Sequence, residues 1–544
     1  MQWLLLLLFV LWGARPVQAQ TEQDATLQST LGELRDADFP GKEAIVERLT
    51  KSGHPSTRAV LTAFFEDRLY YRNDNQTVML VKSTEGDPAS LDLIDTRTLK
   101  EAGSIPADQV TKIGTNNRLR RFLRTAIAQF GLSNPDASIR LEAVREVLRS
   151  LDESNIALLR ERVDVETDPG VKKEIGIALA LSELDSADSA VRLAAVATLR
   201  ESLNNDVRNK LASMIEKSPE GTYAESDESV RAAAASAVKH IDQWRLFYSG
   251  IQTLFFGLSL GSVLVLIAIG LAITFGVMGV INMAHGELMM LGAYTTYVVQ
   301  QSMPNYVGIS ILVAIPAAFL VAASTGVLIE RTIIRFLYGR PLETLLATFG
   351  VSLILQQLVR SVFSALNREV KTPDWMSGTL QLNEALAITY NRLYIVLFTL
   401  IVFAILLVVL KYTRMGLDIR AVAQNRAMSR AMGIRSEWVD AMTFGLGSGI
   451  AGVAGVALSQ LTNVGPNLGQ SYIIDSFMVV VFGGVGNLWG SLVGGMSMGI
   501  VNKLLEPYSG AVLAKILVLV ALILFIQRRP RGLFPQTGRS SENQ

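Results

Sequence analysis

Apolar residues are distributed along this chain in two different ways. Between about 247 and 527 they form long runs; between 20 and about 246 they recur singly, at helical or strand period, among charged and polar neighbours. The second half therefore predicts membrane-crossing helices, because about 20 consecutive apolar residues reach across roughly 30 Å of hydrocarbon. Spans are predicted near 251–274, 286–303, 308–329, 343–365, 391–410, 441–462 and 511–527. The run "LYIVLFTLIVFAILLVVL" carries no charge at all, which a buried helix of a water-soluble core seldom manages. Between 475 and 503 the chain is equally apolar but broken by Gly483, Gly484, Gly486 and Gly490. Such breaks survive at membrane depth only where other protein or a water-filled path satisfies the freed backbone. The expected fold is a polytopic α-helical membrane protein with glycine-broken spans, fused to a mainly α domain with a small β element.

In the polar half, three stretches share one pattern. "DASIRLEAVREVLRSL" aligns Ile139, Ala143, Val147 and Leu151, "DSAVRLAAVATLRESL" aligns Val191, Ala195, Leu199 and Leu203, and "DESVRAAAASAVKHI" aligns Val230, Ala234, Val238 and Ile241. Each opens on Asp or Ser near a plausible N-cap and continues at helical period. The recurring V-R-x-x-A core resembles HEAT-type repeats, whose paired helices stack to bury a shared face. Uneven spacing predicts a short stack rather than a long solenoid. Ahead of it, "RLYYR", "TVMLVKS" and "LDLIDTRTL" predict short strands. No catalytic constellation is visible here. His54 and His240 lack clustered metal-ligand partners and are expected to be surface or helix-end residues.

The start, "MQWLLLLLFVLWGARPVQAQ", has an apolar core too short to span a bilayer comfortably. "VQA" then supplies the small residues expected before cleavage, so 1–19 is expected to be a signal peptide, with a retained anchor as the alternative. Either way 20–246 is exported. Basic residues orient the rest. Arg331, Arg335 and Arg340, then Lys411, Arg414, Arg420, Arg426, Arg430 and Arg435 against the single acid Asp418, then Arg528, Arg529 and Arg531, mark three cytoplasmic regions. An exported first half and a cytoplasmic tail (536–544) require an odd number of crossings. Seven satisfy this if 475–503 enters and leaves on the outer side; nine do if it forms two short spans. Gly445, Gly449, Ala451 and Gly455 place a small-residue face on one span, suited to close helix contact.

Overall charge adds little: a net +1 points to neither nucleic acid nor a polyanionic partner. The chain has no cysteine, so disulfides do not hold the exported part together. "DFPGKEA" lacks the glycine spacing of a phosphate loop, so no ATP-binding motif is present.

The chemistry of interest lies in "FGVMGVINMAHGELMM", which places Asn282, His285 and Glu287 inside an apolar run. A polar group without a partner in hydrocarbon costs several kcal/mol, so such groups face a bundle interior or water. "GVINMAHGEL" echoes "GVGNLWGSL", which contains Asn487, and paired interrupted segments point toward a solute site in transporters. Asn282 and Asn487 are expected to line a solute path. His285 and Glu287 fall near the expected cytoplasmic boundary, where solute contact competes with an interfacial ion pair or helix-start role. Arg360 and Lys515 lie near outer span ends and are expected to snorkel.

Five blocks in order carry a family resemblance: Gly257–Tyr294, Arg331–Val359, "GLDIRAVAQNRAMSRAMGI" (Gly416–Ile434), "VFGGVGNLWGSLVGG" (Val481–Gly495) and "RRPRGLF" (Arg528–Phe534). Together they resemble the permeases of branched-chain amino-acid-type ABC importers over about 250–535. An exported domain ahead of the permease (here 247–535) is similar to the urea permease subunit of such importers. The resemblance implies a permease subunit forming half of the path for a small polar solute, urea or a short-chain amide. The alternatives are a branched-chain amino-acid permease of the same family and, in a different class, a passive channel for small amides. It also implies a second homologous permease, two ATPase subunits, an extracytoplasmic solute-binding protein, and a place in the bacterial inner membrane with the first domain periplasmic. No cofactor or metal, and no catalysis by the chain itself, is expected. Ala423, Gln424, Asn425, Arg426, Ala427, Ala431 and Gly433 would form a coupling helix, ending at its glycine, that docks on the ATPase.

Overall fold

The computed structural model describes residues 15–82, 90–148, 151, 153–217 and 223–534. Most of the expected signal peptide and the whole 536–544 tail lie outside the described residues. The chain divides at Gln243/Trp244 into two compact units.

The first unit opens with α1 (Arg15–Glu33), α2 (Phe39–Ser52) and α3 (Thr57–Phe65). Helix α2 starts where the Asp38 carboxylate accepts the Gly41 N–H at 2.8 Å and stops at Gly53, whose φ of 67° ends a helix at no steric cost. Strands β1 (Leu69–Arg72), β2 (Val78–Val81), β3 (Ser90–Asp95), β4 (Glu101–Pro106) and β5 (Val110–Lys112) form one antiparallel sheet of order β4-β3-β2-β1-β5. The three predicted strands are β1 to β3. Their neighbours β4 and β5 are too polar to show the alternation that reveals a strand, with β4 almost wholly exposed.

Six helices follow: α4 (Asn117–Leu132), α5 (Ala137–Leu148), α6 (Glu153–Val165), α7 (Pro169–Glu183), α8 (Ser189–Leu199) and α9 (Asn205–Ile215). The start of α10 (Glu228–Met278) completes them. Leu119, Leu123 and Ile127 of α4 pack with α1–α3 and the sheet, while its Ala128 and Leu132 pack with α5–α10, so α4 joins two apolar cores. Of the predicted stripes, Ala143, Val147, Ala195, Leu199, Val230, Ala234, Val238 and Ile241 are buried, Ile139, Leu151 and Leu203 are half-buried, and Val191 stands 37 % exposed; on α8 the core is Ala195, Val196 and Leu199.

The arginine of each V-R-x-x-A motif is a latch. Arg140 donates to the carbonyls of Asn134 and Pro135 in the turn before its own helix, and forks onto both oxygens of Glu166 at 2.8 and 2.9 Å. Arg192 repeats this with Ser186, Ala187 and Glu225, and Arg231 with the carbonyls of Glu225 and Ser226. Each latch satisfies carbonyls that a turn between helices leaves unpaired. The Arg140 guanidinium, helped by the Asp168 N–H and by Arg162, holds the Glu166 carboxyl down at about 2. His54 is at a helix end but buried, between Asp24 and Ser56 at 2.8 Å each.

The second unit contains α10 from Trp244 onward, then α11 (His285–Ser302), α12 (Val307–Thr332), α13 (Pro341–Phe363), a hairpin of β6 (Thr379–Asn383) and β7 (Leu386–Thr389), and α14 (Tyr390–Tyr412). It continues with α15 (Arg414–Gln424), α16 (Arg426–Ala431), α17 (Ser436–Ser459), α18 (Leu468–Gly483) and α19 (Leu488–Arg528). Among the described residues six helical segments are long and apolar enough to cross a membrane: α10, 304–332, α13, α14, α17 and α19. Helix α17 is buried along nearly its whole length and, with α10, α11 and α12, forms the centre. Leucine, isoleucine and valine side chains of α13, α14 and α19 point outward, a surface suited to lipid or a second apolar protein.

The small-residue face of α17 does what its spacing implies. A side chain on Gly449 would strike the Phe319 ring and one on Gly445 the Val327 side chain, so both glycines let α12 approach. A Cβ on Gly455 would strike the backbone of Met289 on α11, and one on Gly452 the Ala318 carbonyl and the Ala322 side chain on α12, leaving no room for a methyl group.

The 475–503 segment resolves into two helices. Helix α18 ends at Gly484 (φ 103°), and α19 leaves antiparallel to it with Gly483 packed on Gly490. A straight helix as long as α19 would reach about 60 Å. Yet its start lies beside Gly483, while the chain just past its end donates from Leu533 N–H to Phe482 O (2.9 Å) and from Phe534 N–H to Gly483 O (3.1 Å). The helix therefore doubles back, and it does so at Gly510, whose φ of 77° and ψ of 161° are not helical. The 484–487 turn and the end of α19 share one end of the bundle.

Candidate functional site

Helix α10 ends at Gly279, whose N–H still reaches Phe275 O while its φ of 65° turns the chain out. Residues 280–284 then run back along α10, and α11 begins only at His285. A helix from α13 supplies what this irregular stretch needs. Thr348 Oγ1 accepts the Met283 N–H at 3.1 Å and lies 3.4 Å from Ile281 O. Asn282 Oδ1 accepts the Ala284 N–H at 3.0 Å.

The three candidates here are all buried. His285 Nε2–H donates to Ile267 O at 3.0 Å, well inside α10. It therefore sits deep in the bundle and not at the boundary its position in sequence suggests, because the break folds back instead of continuing outward. Glu287 Oε1 accepts from Gln356 Nε2 at 2.7 Å and Ser352 Oγ at 3.1 Å. Asn282 Nδ2, His285 Nδ1, Glu287 Oε2 and the Tyr294 hydroxyl have no hydrogen-bond partner among the described residues. Asn487 is elsewhere, half-buried on the 484–487 turn. Its Oδ1 caps α19 through Gly490 N–H (3.1 Å) and its Nδ2 donates to Phe534 O (3.3 Å). The shared glycine–asparagine–glycine pattern thus marks two helix starts: in each, the amide holds the local backbone.

The residues missed by sequence reasoning are on α13. Thr344, Thr348, Ser352, Gln356 and Arg360 recur every fourth position and form a polar stripe along an otherwise apolar helix. Thr344 bonds back to Arg340 O, Thr348 serves the break, Ser352 and Gln356 hold Glu287, and Arg360 donates to Asn467 Oδ1 at 2.7 Å. The four-residue polar period was the available signal. Arg360 therefore has a protein partner and does not merely snorkel. The same holds for Lys515, which pairs with Asp475 at 2.8 Å.

The expected coupling helix is two helices. Ala423 and Gln424 end α15; Asn425, extended at φ −155°, breaks the chain and caps α16 by accepting the Met428 N–H at 2.9 Å. Ala427 and Ala431 lie on α16, and Gly433 (φ 89°) turns the chain toward α17. Arg426 points inward, forking onto the carboxylate of Asp440 on α17 with its Cζ 3.9 Å from the centre of the Tyr338 ring. It ties the elbow to the central helix, and so is not a free docking residue. Arg335 and Glu437 add a second tie to α17 at 2.8 Å.

Residues 253–526 match the family described as "Branched-chain amino acid transport system / permease component". The high-affinity branched-chain amino acid transport system permease protein LivH of Salmonella typhimurium is 32% identical over 295 residues, 52% of this chain and 94% of that one. The corresponding BraD of Pseudomonas aeruginosa is 31% identical over 296 residues, covering 53% and 96%. The ribose import permease protein RbsC of Escherichia coli is 25% identical over 289 residues, covering 50% and 85%. No solved structure matches the chain.

Proposed function

Because the chain belongs to the permease family of branched-chain amino acid transport systems, we propose that it forms one half of the translocation path of an ATP-driven importer. A second, homologous permease lines the other half. Two ATPase subunits drive the cycle, and an extracytoplasmic solute-binding protein delivers the cargo. The permease unit lies in a bacterial inner membrane, with residues 20–246 on the periplasmic side and the α15–α16 elbow and the C-terminus in the cytoplasm. The observation that carries this reading is the interruption at 279–284. Irregular backbone and buried polar groups inside an apolar bundle are tolerated where they border a hydrated path. The elbow at Asn425 supports ATPase docking: α16 is short, with Met428 exposed on it and Met432 exposed just after it.

The cargo is urea or a short-chain amide. Support comes from the large first unit, which lies outside the region shared with relatives that match over 94–96% of their own length. A second reading, a branched-chain amino acid, is favoured by what those relatives are named for. Co-reconstitution with the partner permease, the ATPases and the solute-binding protein decides between them. ATP-dependent uptake of labelled urea is expected; uptake of leucine without urea overturns the cargo assignment, and passive uptake without ATP overturns the importer.

A further inference from the structure

The α11–α13 seam has a property that packing alone does not explain. Glu287 is 1 % exposed, and both of its donors fall on one oxygen, Oε1; Oε2 is left without a partner. Two turns along the same helix, about 10 Å away along its axis, the Tyr294 hydroxyl is likewise buried without one. A buried acceptor left empty is costly, and more so when charged, so a helix pair selected only for adhesion would fill it. Ser352 and Gln356 instead fix the carboxyl group from one side and keep the second oxygen aimed away from themselves.

Helix α13 is also the element placed to uncover this oxygen. Its buried residues, Thr344, Thr348, Val351, Ser352, Gln356 and Val359, form a single stripe, whereas Leu346, Ile354 and Val362 on its other faces are 65–71 % exposed. The stripe is mostly polar, so water can replace its contacts when the seam parts; interlocked leucines would have no such substitute.

We propose that this seam is a cargo-recognition site: Glu287 Oε2 accepts a cargo N–H when α13 moves off α11, with Ser352 and Gln356 positioning the carboxyl group and the Tyr294 hydroxyl a second contact along the way. The site selects a ligand that carries N–H donors, either the amide of a urea-like solute or the ammonium of an amino acid. This rests on the permease reading above and assigns its specificity.

The test uses the complete reconstituted importer and compares each cargo with its fully N-methylated analogue, which has no N–H: urea with tetramethylurea, leucine with N,N,N-trimethylleucine. A site built around an N–H acceptor rejects analogues that lack the hydrogen. In Glu287→Gln the acceptor becomes a donor at nearly constant volume. The half-saturating cargo concentration is expected to rise by about tenfold or more, and the preference for cargo over its fully N-methylated analogue to shrink by a similar factor. Ser352→Ala, which loosens the carboxyl group without touching its charge, is expected to move the same preference in the same direction by a smaller factor. It provides the readout if Glu287→Gln does not assemble. Unchanged discrimination in the assembled variants, whatever happens to the maximal rate, overturns the site. Absence of ATP-dependent uptake by the unaltered complex overturns the permease reading instead.

Discussion

Arg426 and Asp440 show how far one side chain's role depends on the direction it takes. Asp440 is 3 % exposed and Arg426 is its forked partner, beneath which lies the Tyr338 ring. Removing one member of a buried pair leaves the other charge stranded, at about 3–5 kcal/mol, whereas replacing both with apolar groups is far milder. Arg426→Ala is therefore expected to lower the melting temperature of the detergent-solubilised protein markedly. Adding Asp440→Leu should recover most of that loss; a double variant as unstable as the single one would contradict the pairing. The sequence showed a basic, small-residue elbow but could not show that Arg426 turns inward, because its partner lies beyond a turn on the next helix. The candidates Asn282, His285 and Glu287 were legible as polar intrusions in an apolar run. Their depth was not, since it follows from the chain folding back at Gly279, a tertiary event. The α13 stripe was legible in principle: only the habit of reading spans by average hydropathy hides a polar residue at every fourth position.

At the level of elements, close helix contact depends on particular glycines. Gly292 has a backbone carbonyl of Gly452 where a Cβ would go, whereas Gly350 on α13 has nothing within 4 Å. Gly292→Ala is expected to cost about 1–3 kcal/mol and cut the yield of folded protein; Gly350→Ala should be neutral or slightly stabilising, both read by thermal unfolding. The latches of the first unit make a separate prediction. Glu166 binds its proton more weakly when folded, near 2 against an ordinary 4.5. The stability it supplies is therefore complete above about 4.5 and lost as the pH falls toward 2. Calorimetry of Glu166→Gln should show a lower melting temperature at neutral pH and a weaker dependence on acid over that interval. Three helices of the first unit (α5, α8 and the start of α10) and its first three strands could be read from periodicity alone. The latches could not, because the motif names the arginine but not the carboxylate that meets it across the stack.

For the whole molecule, the proposed sidedness rests on the basic loops and is open to direct test. The natural sequence contains no cysteine, so one introduced thiol is the only one present. Thr198→Cys in the first unit should react with a membrane-impermeant maleimide in intact spheroplasts, whereas Met432→Cys at the elbow should react only after the membrane is opened. The reverse pattern would invert the topology.

The doubling back at Gly510 has a consequence for how the chain enters a bilayer. Helix α18 has only 16 residues, below the roughly 17–25 that a lone segment needs to partition stably. If it crosses the membrane as the proposed importer requires, it is expected to stay beside the translocation channel until α19 emerges. The three segments from Leu468 to Arg528 are then expected to enter together, so a ribosome stalled before Gly510 should leave α18 still beside the channel and accessible to crosslinking; its loss from the channel at that point would contradict joint entry.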